Sequence, residues 1–167
     1  MILNQVQKDS IVLVDANIIL YAIRNKSDQC KDIIRRCAER EVYGVITPHI
    51  IAEVMHRLMI AEARENGWIA GANPAKRLSE QPERVKMLFR YEQAVKNLLA
   101  TGMRCEPVER EDILSSLRVQ RESGLLTNDA LLVAVSERLR IQAIASADNT
   151  FAQVRGVILY SPDDLEE

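Results

Sequence analysis

Four acidic residues stand at the edges of apolar segments: Asp15 in IVLVDANIIL, Glu53 in ITPHIIAEV, Asp129 in LLTNDALLVAV and Asp148 in IQAIASADNTF. Carboxylates carried beside a hydrophobic core are costly unless a cation neutralises them. A hard ion such as Mg²⁺ or Mn²⁺ suits them, because it takes several oxygen ligands and requires neither Cys nor His. A hydrolase built this way would use one ion, or two about 4 Å apart, to activate a water, orient a phosphodiester and stabilise the leaving oxygen. Each acid also has a plainer explanation. Asp15 is a natural helix N-cap, and Asp129 suits the first turn of a helix. Asp148 with Asn149 is a common turn pair, and Glu53 is a good helix former that is usually exposed. The four together favour a shared metal site. Asn17, two residues after Asp15, adds an oxygen ligand at the same place, while Ser146 and Thr127, each two residues before an acid, could orient a ligand or serve a turn and a cap.

Other candidate ligands are weaker. His49, Glu53 and His56 fall on one helical face, and Glu53-x-x-His56 echoes half of a di-iron ligand set, but these are the chain's two histidines and a second pair is lacking. Cys30 and Cys37, seven apart on an expected helix, read as core. Three cysteines without a CxxC pair give no disulfide framework and suit a reducing, cytoplasmic setting. The opening MILNQVQKDS does not read as a signal peptide, and no apolar run reaches membrane-spanning length.

What must position the acids is an alternation of strands and helices. Short apolar runs at 11–14, 42–46, 103–108, 141–145 and 157–160 read as five strands. Helical spacing covers 18–23, 28–40, 48 to about 66, 83–100, 109–122 and 127 to about 140, with Pro48 at a helix start and Thr127 or Asn128 as a cap. Residues 66–82, rich in Gly and Pro, read as a loop or irregular excursion. The pattern implies an α/β fold with a mainly parallel five-stranded sheet flanked by helices. Such sheets bind ligands beyond the carboxyl ends of their strands, where Asp15 and Asp148 would sit. At 167 residues the chain is expected to form one domain (1–167), ending in an acidic solvated tail. A net charge of −2 neither proposes nor excludes a nucleic-acid partner. Arg57, Arg64, Lys76, Arg77, Arg84, Lys86 and Arg90 cluster near Trp68 and could grip a nucleic-acid backbone, but interspersed glutamates favour an ordinary solvated surface.

The order VDAN, TPHIIAEV, NDALLVA, SADNTF resembles the PIN-domain ribonucleases, including the VapC-like toxin components of prokaryotic toxin–antitoxin pairs. The resemblance spans about residues 11–160. It implies a PIN-like fold and an endoribonuclease that hydrolyses RNA phosphodiester bonds with Mg²⁺ or Mn²⁺. Asp15, Glu53, Asp129 and Asp148 would be catalytic and metal-binding, with Asn17 and Ser146 in support. A homodimer and a small antitoxin partner are implied too. The segment from about 62 to 90 departs from compact toxin members, and could be a lid, a dimer element or an RNA-contacting arm. Two alternatives stand beside the nuclease. A non-catalytic PIN-like RNA- or protein-binding module would not need all four acids. A phosphohydrolase would normally place a second Asp where Asn17 stands.

Overall fold

The computed structural model describes residues 1–165; the last two residues of the expected acidic tail lie outside them. Five strands, β1 (Ile11–Val14), β2 (Tyr43–Ile46), β3 (Arg104–Cys105), β4 (Ala143–Ala145) and β5 (Ile158–Tyr160), form one sheet in the order β3-β2-β1-β4-β5. Every pairing is parallel. A parallel sheet needs crossovers, and the helices supply them: α1 (Ala16–Ile23), α2 (Asp28–Ala38), α3 (Pro48–Glu65), α4 (Pro74–Ser79), α5 (Pro82–Val85), α6 (Arg90–Ala100), α7 (Arg110–Ser123) and α8 (Thr127–Leu139). The central strands are covered on both faces, so β1 reads as an uninterrupted apolar run, with Val12, Leu13 and Val14 fully buried. No helix among the described residues is long and apolar enough to cross a membrane.

The chain doubles back between β1 and β4, which are neighbours in space but far apart in sequence. That reversal opens a crevice at the strands' carboxyl ends. The register Val14 to Ala145 carries Asp15 and Ser146 into it side by side.

Sequence and structure differ at several elements. The helix expected over 83–100 is two pieces, α5 and α6, because the Glu62 carboxylate reaches between them. It accepts hydrogen bonds from the backbone N–H groups of Phe89 (3.1 Å), Arg90 (3.1 Å) and Tyr91 (2.8 Å), which starts α6 anew. The excursion, expected as a mixed helical and loop segment over about 62–90, contains α4 and contributes to a small apolar cluster, Ala63, Ile69, Leu78 and Leu88, flanked by Trp68 and Tyr91. The third strand shrinks to two residues, since Pro107 has no N–H to extend it. At α8 the N-cap position is Leu126, with no side-chain cap bond; Thr127 is exposed and Asn128 points its amide elsewhere. Cys30 and Cys37 are buried, as their spacing suggested.

Gly44 is the tight point of β2. A Cβ there would come within 2.7 Å of Met103 Cγ and 2.8 Å of Cys37 Sγ. Gly44→Ala is therefore expected to lower unfolding stability by about 1–3 kcal/mol, the usual cost of overpacking. Urea denaturation measures it; a change within about 0.5 kcal/mol would mean that the methionine and thiol side chains give way freely.

Candidate active site

Asp15 ends β1 and caps α1, its Oδ1 accepting from the Ala16 N–H at 2.6 Å. The same turn that caps the helix holds the carboxylate at the sheet edge. Its other oxygen, Oδ2, accepts from the Ser146 hydroxyl (2.7 Å) and the Asn17 amide (2.5 Å). Only 5% of Asp15 is exposed. Burial raises its pKa; the bonds from Ser146 and Ala16 oppose that, and the charges of Glu53 and Asp148 add to it.

Ser146 is the hub of the crevice. Fully buried, it donates to Asp15 while its oxygen accepts from Asn17 Nδ2 (3.1 Å) and the Asp148 N–H (3.0 Å). Asn17 completes the link by accepting from the Ala147 N–H at 2.9 Å. The loops after β1 and β4 are thereby tied to one another across 131 residues of sequence. Asp148 is half-buried and caps the 3₁₀ turn that follows, accepting from the Thr150 N–H at 2.8 Å.

Glu53 and Asp129 arrive from helices. Pro48 starts α3 directly after β2, so Glu53 lies in the second turn, still near the sheet edge. Its Oε2 accepts from the Asn128 amide at 2.9 Å, and Arg57 lies 3.5 Å from Oε1. Asn128 is the residue that sequence reasoning misassigned. Its adjacency to Asp129 was the available signal, but a cap explained it equally well. Asp129 is half-buried in the first turn of α8. Burial, then the charges of Asp15, Asp148 and Glu53, push its carboxyl up to about 6.

All four expected acids are therefore electrostatically in touch, and Asn17 and Ser146 lie among them. Among the described residues, however, no three Asp, Glu, His or Cys side chains are arranged so that they could hold a metal ion as they stand. Three of the acids each accept a hydrogen bond of their own: Asp15 from the Ala16 N–H, Glu53 from the Asn128 amide and Asp148 from the Thr150 N–H. The donor set is nevertheless all hard oxygen, and the Asp129 carboxyl is raised by burial first and then by the other three negative charges. An all-oxygen, negatively charged donor set is what a divalent cation such as Mg²⁺ takes.

The histidines stand aside. His49 Nδ1 lies 3.0 Å from the Thr47 hydroxyl and Nε2 is buried without a hydrogen-bond partner. Burial lowers its pKa, against the Asn128 backbone and the Glu53 charge. The basic cluster around the excursion is largely occupied with structure. Arg84 lies over the Trp68 ring at 5.9 Å and donates to the Trp68 carbonyl, while Arg90 pairs with Glu62 and Glu65. The excursion's own apolar cluster includes Ala63, about 15 Å along α3 from Glu53 at 1.5 Å per residue.

A family model described as PIN domain matches residues 12–157. The ribonuclease VapC2 of Methanocaldococcus jannaschii is 25% identical over 143 residues, covering 86% of this chain and 88% of that protein. Two solved structures share the fold. A toxin-antitoxin complex from Klebsiella pneumoniae has a TM-score of 0.57 at 17% identity, covering 88% of this chain and 95% of that one. VapBC2 from Rickettsia felis, bound to a DNA fragment from its promoter, has a TM-score of 0.57 at 14% identity, covering 92% and 99%. With the family model spanning β1 to the approach to β5, this chain belongs to the PIN domain family.

Proposed function

We propose that the protein is a metal-dependent endoribonuclease, and the toxin of a toxin–antitoxin pair. The observation that carries the reading is the gathering of Asp15, Glu53, Asp129 and Asp148 toward the carboxyl edge of a parallel sheet, where burial first and then the charges of the other three raise Asp129 to about 6. Carboxylates left in mutual repulsion destabilise a fold, so their convergence calls for a cation. The ribonuclease VapC2 relative supports RNA as the substrate, and the toxin–antitoxin structures of similar fold support a protein antitoxin. A homodimer belongs to the same reading.

Asp15, Glu53, Asp129 and Asp148 would hold Mg²⁺ or Mn²⁺, which when bound supplies charge stabilisation to a phosphodiester under attack by water. The chain's own residues set the geometry. Ser146 and Asn17 fix the Asp15 carboxylate through Oδ2. Asn128 holds Glu53 in the crevice, leaving its Oε1 beside the Arg57 guanidinium. Asp129 presents its half-buried carboxylate from the first turn of α8.

Asp15→Asn is expected to reduce Mg²⁺- or Mn²⁺-dependent cleavage of a panel of structured and unstructured RNAs by at least about 100-fold, because it removes a ligand charge without changing shape. Cleavage by the variant at the wild-type rate would defeat the nuclease reading. RNA bound but never cut by the wild type would favour the non-catalytic module.

A further inference from the structure

A cavity of about 740 Å³ adjoins the acids, walled by the end of α1, the α1–α2 loop, Arg57 of α3 and the chain near Asp164. It is continuous with the site at two residues. Asn17 lines it while bonding Asp15, and Arg57 lines it while facing Glu53.

Its charges are unequal in their commitments. On the acidic side, Asp28 pairs with Lys31 at 2.5 Å. Asp164 caps α2 from far along the chain, accepting from the Ser27 hydroxyl (2.6 Å) and the Gln29 N–H (3.0 Å). The cations are free by comparison. Arg24 and Lys26 are exposed and make no ion pair among the described residues, and Arg57 has Glu53 only at 3.5 Å. A left-handed turn at Asn25 (φ +56°) reverses the chain after α1 and leaves Arg24 and Lys26 beside the same opening. Uncompensated positive charge next to a cluster of carboxylates, in a chain of net charge −2, fits a polyanion that passes both.

We propose that this cavity is a phosphate-binding subsite for the RNA strand on one side of the cleaved bond, with Arg24, Lys26 and Arg57 as its contacts. The inference rests on the nuclease reading for the identity of the strand. An RNA whose reacting phosphate lies at the acids must carry its neighbouring phosphates past one rim of the crevice. This is the rim where cations without a tight partner stand. The arginines and lysines of the excursion, by contrast, line no part of it.

The test compares the wild-type chain with Arg24→Ala/Lys26→Ala and with Lys76→Ala/Arg77→Ala. The probe is a fluorescent unstructured RNA, read by cleavage kinetics and, in an Asp15→Asn background with Mg²⁺, by anisotropy across a salt series. Losing two phosphate contacts should weaken binding by about 10-fold or more and shrink the slope of log affinity against log salt by about 1.4, at roughly 0.7 per contact for a single strand. KM should rise by a similar factor with kcat nearly unchanged, and the Lys76/Arg77 variant should match wild type. An Arg24/Lys26 variant with wild-type KM and salt slope would overturn the subsite while leaving the nuclease standing. Equal losses in both double variants would also overturn it, as a diffuse field would produce them. A wild type that binds RNA through Arg24 and Lys26 yet never cleaves it would sink the nuclease reading and keep the subsite; no binding at all would sink both.

Discussion

Asp129→Asn is expected to make the protein harder to unfold and nearly unable to cut RNA. The Asp129 carboxyl is raised from 3.8 to about 6 by burial and by the charges of Asp15, Asp148 and Glu53. Below the lower value both folded and unfolded chains hold the proton, and the group contributes nothing to stability. Between the two values the folded chain holds a proton that the unfolded chain has lost, so stability falls as pH rises. Above about 6 the whole penalty remains. A shift of about two units would be worth roughly 3 kcal/mol at full weight, and solvent screening of a half-buried group reduces that to about 1–2 kcal/mol. Thermal melts should therefore show the asparagine variant ahead by several degrees at neutral pH, at roughly 2–4 °C per kcal/mol for a chain of this size. The lead should close as pH falls from about 6 to about 4. Added Mg²⁺ should narrow it too, by neutralising the wild-type acids. Cleavage should drop by about 100-fold or more. Identical melting curves at every pH would show that the four acids do not repel one another through Asp129.

Glu62→Ala should produce the largest loss of stability, at a place the chemistry does not touch. Glu62 is 4% exposed and its two oxygens take three backbone N–H groups at the start of α6, with Arg90 3.7 Å away. Burial pushes its carboxyl up, but the Tyr91, Phe89 and Arg90 N–H bonds and the Arg90 charge outweigh that and hold it below the ordinary range. A hydrogen bond to a charged group contributes about 1.5–3 kcal/mol, and deletion leaves three donors partnerless, so about 3–5 kcal/mol is expected. Urea unfolding measures it. A loss under about 1 kcal/mol would mean that water replaces the carboxylate. Because the lowered pKa stabilises only the ionised form, this contribution is present above pH 4.5, the ordinary value, and disappears as pH falls through the folded one. Glu62→Gln should retain part of it by keeping one acceptor oxygen. RNA cleavage by folded Glu62→Ala should stay close to wild type, since the excursion walls neither the acids nor the adjoining cavity.

The two variants separate what was legible in the chain from what was not. Strand positions were read well where β-branched and aliphatic runs were short and bounded, and the observed β1, β2, β4 and β5 fall within or match those runs. The helix break before α6 was invisible because 83–100 keeps helical spacing throughout, and only a carboxylate more than 20 residues earlier interrupts it. Glu62 itself looked like one more surface glutamate in a charged stretch. Trp68 and Arg84 were equally ambiguous until they were found against one another. Asn128 illustrates the limit of local rules: a polar residue at a helix start reads as a cap, but its partner, Glu53, is 75 positions away.

By itself the sequence determined the alternation of strands and helices and the parallel sheet it requires, which follow from periodicity and residue type, both local properties. It also singled out the four acids as candidates, Asp15 and Asp148 by their place at strand ends, Glu53 and Asp129 chiefly through the family resemblance, which also implied Asn17 and Ser146. Tertiary structure alone decided that β1 and β4 lie side by side, so that one buried serine hydroxyl bridges Asp15 and the Asp148 backbone. It alone decided that Asp129 sits among three other charges, and that Arg24, Lys26 and Arg57 share one cavity wall. The physical reason is range: hydrophobic spacing acts within a few residues of chain, whereas charge repulsion and hydrogen bonding act through space and take their partners from wherever the fold delivers them.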